Sequence, residues 1–189
     1  MTTPERNDVR AAMRHRNSPP PPIDDPVATL TWLRDREVIK NLYDRYAYGV
    51  DSIDIDLVRS VFHPDCVVVG TMEEGTIDDY LDGLADGLRA YAATMHGKTN
   101  QYVELDGDEA FVETWVVAHH MEAPGSPIDH LVLGLRYQDD LVRDGDDWKI
   151  IRRQAAKQWH TGPLPRPFIG DPPYPRANHQ SRARSESSS

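Results

Sequence analysis

The spacing of apolar residues changes once along this chain, from about 3.6 to 2, and that change limits the folds open to it. In the first half the helical spacing rules. Val38, Ile39, Leu42, Tyr43, Tyr46, Ala47 and Val50 form one broad stripe, and Asp24-Asp25 before Pro26 is a helix-start signal, so a helix is predicted over Pro26–Asp51. Gly49 weakens its last turn. A shorter helix is expected over Ile55–Phe62, stopped by His63-Pro64, and then a buried β-branched strand over Cys66–Gly70. A third helix is read over Thr76–Thr94, with Ile77, Tyr80, Leu81, Leu84, Leu88 and Tyr91 in period and Thr76 and Asp79 as a capping pair. From there alternation takes over. Gln101–Leu105 and Ala110–Met121 flank the turn Asp106-Gly107-Asp108, and His130–Leu141 and Asp147–Trp159 flank Arg143-Asp144-Gly145. Helices first and long strands second give an α+β order, with a curved, mostly antiparallel sheet wrapped over the helices.

The 189 residues suffice for one core of ordinary size. Prolines and charges crowd the ends, residues 1–22 and 161–189, which are expected to be flexible tails around a folded part at 23–160. The formal charge is −10, and each tail carries four Arg against two acids, which leaves −14 on residues 23–160. So acidic a body repels phosphate backbones, and nucleic acid is not an expected partner. Cys66 is the single cysteine, so no intrachain disulfide can form, and its place in an apolar run reads as a buried, inert thiol. No apolar stretch approaches the ~20 residues of a membrane span, and the N-terminus lacks the apolar core of a secretory signal; the expected location is the cytoplasm.

Candidate chemistry is sparse. Asp51 closes the first helix, where the partial negative charge of the helix end disfavours a carboxylate; the segment also reads as a solvated acidic loop. His96 enters the first long strand, as a structural residue or as a base. In the strand Val112–His120, alternation sends Val112, Thr114, Val116, Ala118 and His120 to one face and Glu113, Trp115, Val117 and His119 to the other. Both faces carry apolar groups, so alternation does not say which histidine faces the helices, and the second face reads as one covered by another subunit. No metal-ligand spacing, serine elbow, phosphate loop or dinucleotide motif is present, and no metal or cofactor is expected.

Three stretches, in order, resemble the SnoaL-like family of the nuclear transport factor 2-like superfamily, whose members include dehydratases and a dehydrochlorinase. They are DREVIKNLYDRYAYGVDSIDIDLVRSVFHPDCVVVG, TMHGKTNQYVELDGDEAFVETW and LGLRYQDDLVRDGDDWKIIRR. The resemblance implies a cone-shaped α+β barrel with an internal apolar pocket. It pairs Asp51, in GVDS, with His96, in TMHGKTN, and sets Tyr46 and His120 at positions of pocket residues, with Val50 and Trp115 as further expected substrate contacts. Val50 also replaces a tyrosine that scytalone dehydratase carries before its aspartate, which makes scytalone a poor substrate guess. Arg143 is not carried over, because its segment is a longer turn here.

A neutral imidazole in an apolar cavity is a competent base near pH 7, and a carboxylate on its other nitrogen fixes the tautomer. The expectation is a cofactor-independent lyase or isomerase with His96 as base, Asp51 as partner and Tyr46 as orienter. The substrate would be an apolar small molecule, and the assembly a homodimer or homotrimer. The alternatives are a non-catalytic ligand-binding or structural subunit, or a polyketide-type cyclase.

Overall fold

The computed structural model describes residues 17–69, 74–125 and 130–164. Helix α1 (Pro26–Ser52) is followed by α2 (Ile55–Ser60), β1 (Phe62–Val69), β2 (Glu74–Thr76) and α3 (Ile77–Arg89). Four long strands complete the chain: β3 (Ala93–Asp106), β4 (Glu109–Met121), β5 (Leu131–Asp144) and β6 (Asp147–Thr161). They form one sheet in the order β2-β1-β6-β5-β4-β3, antiparallel except where β1 runs parallel to β6. The sheet is curved and unclosed, and the helices lie in its concave side.

The expected start of α1 is in place. Asp25 accepts a hydrogen bond from the Ala28 N–H, Pro26 opens the first turn, and the stripe from Ile39 to Val50 is buried. Gly49 is required by packing: a Cβ there would lie 2.9 Å from Cγ2 of Val58 on α2. The chain turns from α1 into α2 through Ile53, whose φ of 55° is a left-handed conformation that a β-branched side chain adopts only at a cost.

Three boundaries differ from the sequence reading. The second helix stops at Ser60, and Phe62, His63 and Pro64 belong to β1; that strand ends at Val69, and Gly70 lies outside the described residues. The third helix keeps its Thr76–Asp79 capping box but ends at Arg89, so Tyr91 follows it and Thr94 is in a strand. The reason is long-range. Ala93, Thr94 and Met95 pair with Met121, His120 and His119 on β4, and a ladder of that length outweighs a local helical spacing. The first hairpin therefore begins at Ala93 and not at Gln101. Most of both expected tails, residues 1–16 and 165–189, lies outside the described residues. Asn17 and Ser18 bond to the edge of β3: the Ser18 N–H donates to the Val103 carbonyl at 2.9 Å, and the Asn17 side chain accepts from the Val103 N–H at 2.9 Å.

The core contains a charge. Arg153 on β6, 1 % exposed, makes a two-pronged pair with Asp139 on β5, its Nε 3.0 Å and its Nη2 2.8 Å from the two carboxylate oxygens. The Tyr43 hydroxyl donates to the same carboxylate at 2.6 Å. The guanidinium carbon lies 4.2 Å from the ring centre of Tyr46, 4.5 Å from Tyr137 and 5.0 Å from Phe62. Burial works most strongly against the charge of Arg153, but Asp139 together with the oxygens of Tyr46 and Tyr43 outweighs it and holds the group ionised. Removing one partner strands the other in the core. Asp139→Ala is expected to cost about 3–5 kcal/mol in urea unfolding, and Asp139→Ala with Arg153→Met distinctly less than the two single losses together.

Candidate active site

The end of α1 meets the start of β3 at Asp51. Its Oδ1 lies 2.7 Å from Nδ1 of His96 and accepts from the Thr94 hydroxyl at 2.9 Å, while its Oδ2 accepts from the His96 backbone N–H at 2.8 Å. Burial would raise this carboxyl; the His96 ring and backbone donors and the Thr94 hydroxyl together outweigh it and hold the group below the usual carboxylate range. An ionised Asp51 can only accept, so Nδ1 of His96 carries the proton of this bond, and whenever the ring is neutral its lone pair sits on Nε2. The His96 side chain is 8 % exposed and that of Asp51 27 %.

Alternation and pairing resolve the two-histidine question. His120 pairs with Thr94 across the β3–β4 ladder and is buried, its ring 5.5 Å from that of His96 in an edge-on arrangement and 5.0 Å from that of Tyr91. Burial first, and the adjacent His96 next, push His120 down to about 4; its Nδ1 is buried without a hydrogen-bond partner. His119 points the other way, with its ring 6.2 Å from that of His130.

Tyr46 is buried, and its hydroxyl is 2.6 Å from that of Tyr80 on α3. A cavity of about 10 Å³ lies beside His96, lined by Tyr43, Tyr46, Ala47, His96, Lys98, Thr114, Val116 and Tyr137. It would take one water-sized group, far less than the ~300–1,000 Å³ of a typical ligand pocket, so anything larger binds only if inner side chains move. Lys98 closes this side by reaching from β3 to Asp44 at 2.6 Å and to the Lys40 carbonyl at 3.0 Å, both on α1.

Two expected substrate contacts fall elsewhere. Val50 is fully buried in the core and is not part of this lining. Trp115 sits between the cavity-lining Thr114 and Val116, so it faces the opposite side of the sheet, beneath the Arg136 guanidinium at 5.6 Å. Thr94, Tyr137 and the Arg153–Asp139 pair are polar groups of the interior that sequence reading passed over. Counting by twos from Trp148 and Ile150 aims Arg152 inward; an extra residue at Ile151 shifts the register, and Arg153 goes in. Cys66 is buried, and burial pushes its thiol up to about 12, as expected of an inert group. Among the described residues no group of three or more His, Cys, Asp or Glu is placed to hold a metal ion, and no helix is long and apolar enough to cross a membrane.

This architecture, a curved and unclosed sheet wrapped over N-terminal helices with polar groups inside, defines a cone-shaped α+β protein of the nuclear transport factor 2-like type. The sequence profile of the SnoaL-like domain matches residues 31–154, and the chain belongs to that family. An uncharacterized protein of Mycobacterium tuberculosis strain H37Rv is 29% identical over 139 residues, 71% of this chain and 93% of the relative. Solved structures with the same fold include a scytalone dehydratase candidate from Novosphingobium aromaticivorans (24% identity, TM-score 0.70, 79% of this chain and 99% of that one). A hexachlorocyclohexane dehydrochlorinase from Novosphingobium barchaimii is similar at 18% identity and TM-score 0.61, over 74% of this chain and 97% of that one.

His120 gives the protein an acid-side stability slope. The folded ring stays neutral down to about pH 4, whereas an unfolded histidine takes its proton near 6.5, so between these values the unfolded chain binds the extra proton. Stability is fully present above pH 6.5 and falls as pH drops toward 4, by about 3 kcal/mol from this group. Urea midpoints measured from pH 7 to 4 should fall less steeply in His120→Gln than in the wild type.

Proposed function

We propose that this chain is a cofactor-independent lyase or isomerase in which His96 removes a proton from a neutral, apolar small molecule. The observation that carries the reading is the set of donors on Asp51: they fix one imidazole tautomer and leave Nε2 as the free basic atom. Asp51 stabilises the imidazolium once the proton has moved. His120, kept neutral by burial, and the Tyr46 ring orient the substrate, which enters by displacing side chains around the small cavity beside His96. Elimination of water or halide, and relocation of a proton next to a carbonyl, both need only this base. The acidic body favours a neutral substrate over an anionic one. The dehydratase and dehydrochlorinase among the structural neighbours accord with this class of chemistry. A soluble cytoplasmic protein is the setting we assign.

Exchange of the α-hydrogens of 2-tetralone, a neutral bicyclic ketone, in deuterated water tests the base directly. His96→Ala and Asp51→Asn should each lower the catalysed exchange by about 10²–10⁴-fold while thermal unfolding stays as in the wild type. Undiminished exchange in both variants would sink the mechanism. The small size of the cavity favours a second reading, a non-catalytic subunit, which predicts no exchange by the wild type and a stoichiometric large partner on isolation.

We also propose a homo-oligomer formed through the outer face of the sheet. Met95, Met121 and Trp159 are exposed there, beside Val117 and Val132, and Trp159 lies flat over Gly134, where a Cβ would be 2.1 Å from the indole. Glu113, further along the same face of β4, is buried and bonded to Gln138, so its charge does not stand in the way of a second copy at this apolar end of the face. Native mass spectrometry should show an oligomer that Val117→Lys converts to monomer; a wild-type monomer at micromolar concentration contradicts it.

A further inference from the structure

We propose that Thr94 is a positioning residue of the Asp51–His96 pair: its hydroxyl holds the carboxylate in the one orientation that turns the free imidazole nitrogen toward the interior. This inference rests on the reading of His96 as the base. Three donors meet Asp51, and two of them belong to His96 itself, its ring N–H on Oδ1 and its backbone N–H on Oδ2. A carboxylate turns easily about its last side-chain torsion, which is broad and nearly two-fold. Tilting it would carry the imidazole along, because the ring follows the oxygen it donates to. The hydroxyl of Thr94, 2.9 Å from Oδ1, shares that oxygen with the ring and supplies the third point that stops the rotation.

The placement of Thr94 follows from the strand. Residues 94 and 96 lie on the same face of β3, opposite His120 and Ala118 on β4, so the hydroxyl and the imidazole approach Asp51 side by side. A β-branched side chain has few χ1 choices, which makes the hydroxyl a rigid donor. The same bond offsets an unfavourable position, since Asp51 lies in the last turn of α1, where the helix end repels an anion.

The full chain carrying 13C-labelled aspartate, with the Asp51 carboxyl signal identified by Asp51→Asn, reports this directly in a pH titration. Thr94→Val should raise the Asp51 midpoint by about 0.5–1 pH unit and shift the His96 ring N–H signal, with thermal unfolding held; Thr94→Ser should restore both. The 2-tetralone exchange rate should fall about tenfold in Thr94→Val and recover in Thr94→Ser. An unmoved midpoint in Thr94→Val overturns the proposal, and so does a Thr94→Ser that behaves like Thr94→Val, since a hydroxyl at this position would then not be what holds the carboxylate. His96→Phe separates the two levels. If it leaves the Asp51 midpoint unchanged, the underlying pair fails; if it raises the midpoint while Thr94→Val does not, the pair stands and only the role of Thr94 falls.

Discussion

A full positive charge in the middle of the core constrains everything packed around it. Arg153 is tolerated there because each surrounding element contributes: Asp139 and Tyr137 from β5, Phe62 from β1, Tyr43 and Tyr46 from α1. An ion pair removed from water is stable only when its geometry is good: Nε and Nη2 of Arg153 are both paired with Asp139, while Nη1 is buried without a hydrogen-bond partner. These contacts hold α1 across the concave side of the sheet at a fixed height. With the helix so held, its last turn comes to lie against the first residues of β3, and Asp51 meets His96.

That meeting answers an electrostatic problem. A carboxylate at a helix C-terminus, in a body with a formal charge of −14, has every long-range reason to take up a proton or turn to water. Short-range donors prevail because they are close and partly shielded: the imidazole, a backbone N–H and a hydroxyl all point at two oxygens. The strained Ile53 directly after the helix fits the same picture. Its left-handed turn ends α1 within two residues of Asp51 and leads the chain into α2, whose Val58 packs on Gly49.

Beside His96 the interior of the described residues is closely filled. Tyr43, Tyr46 and Tyr137 occupy the volume beside His96 and leave a void for one small group. Burial raises the phenols of Tyr43, Tyr80 and Tyr137, which keeps them neutral and able to donate.

Local periodicity determined the kinds of element and their order, because burial of one face imposes a period whichever partner covers it. The capping of α1 by Asp25 and of α3 by Thr76 was legible for the same local reason, and so was the placing of His119 and His120 on opposite faces. The family resemblance supplied the pairing of Asp51 with His96, which no spacing within the chain implies. Only the tertiary structure decided which histidine faces inward, where Trp115 points, how far β3 extends toward α3, and that Arg153 enters the core where strict alternation sends Arg152. Each depends on cross-strand register, and one bulged residue such as Ile151 reverses every side chain after it. The size of the cavity was likewise beyond the sequence, since it is the small difference between a curved sheet's volume and the rings that fill it.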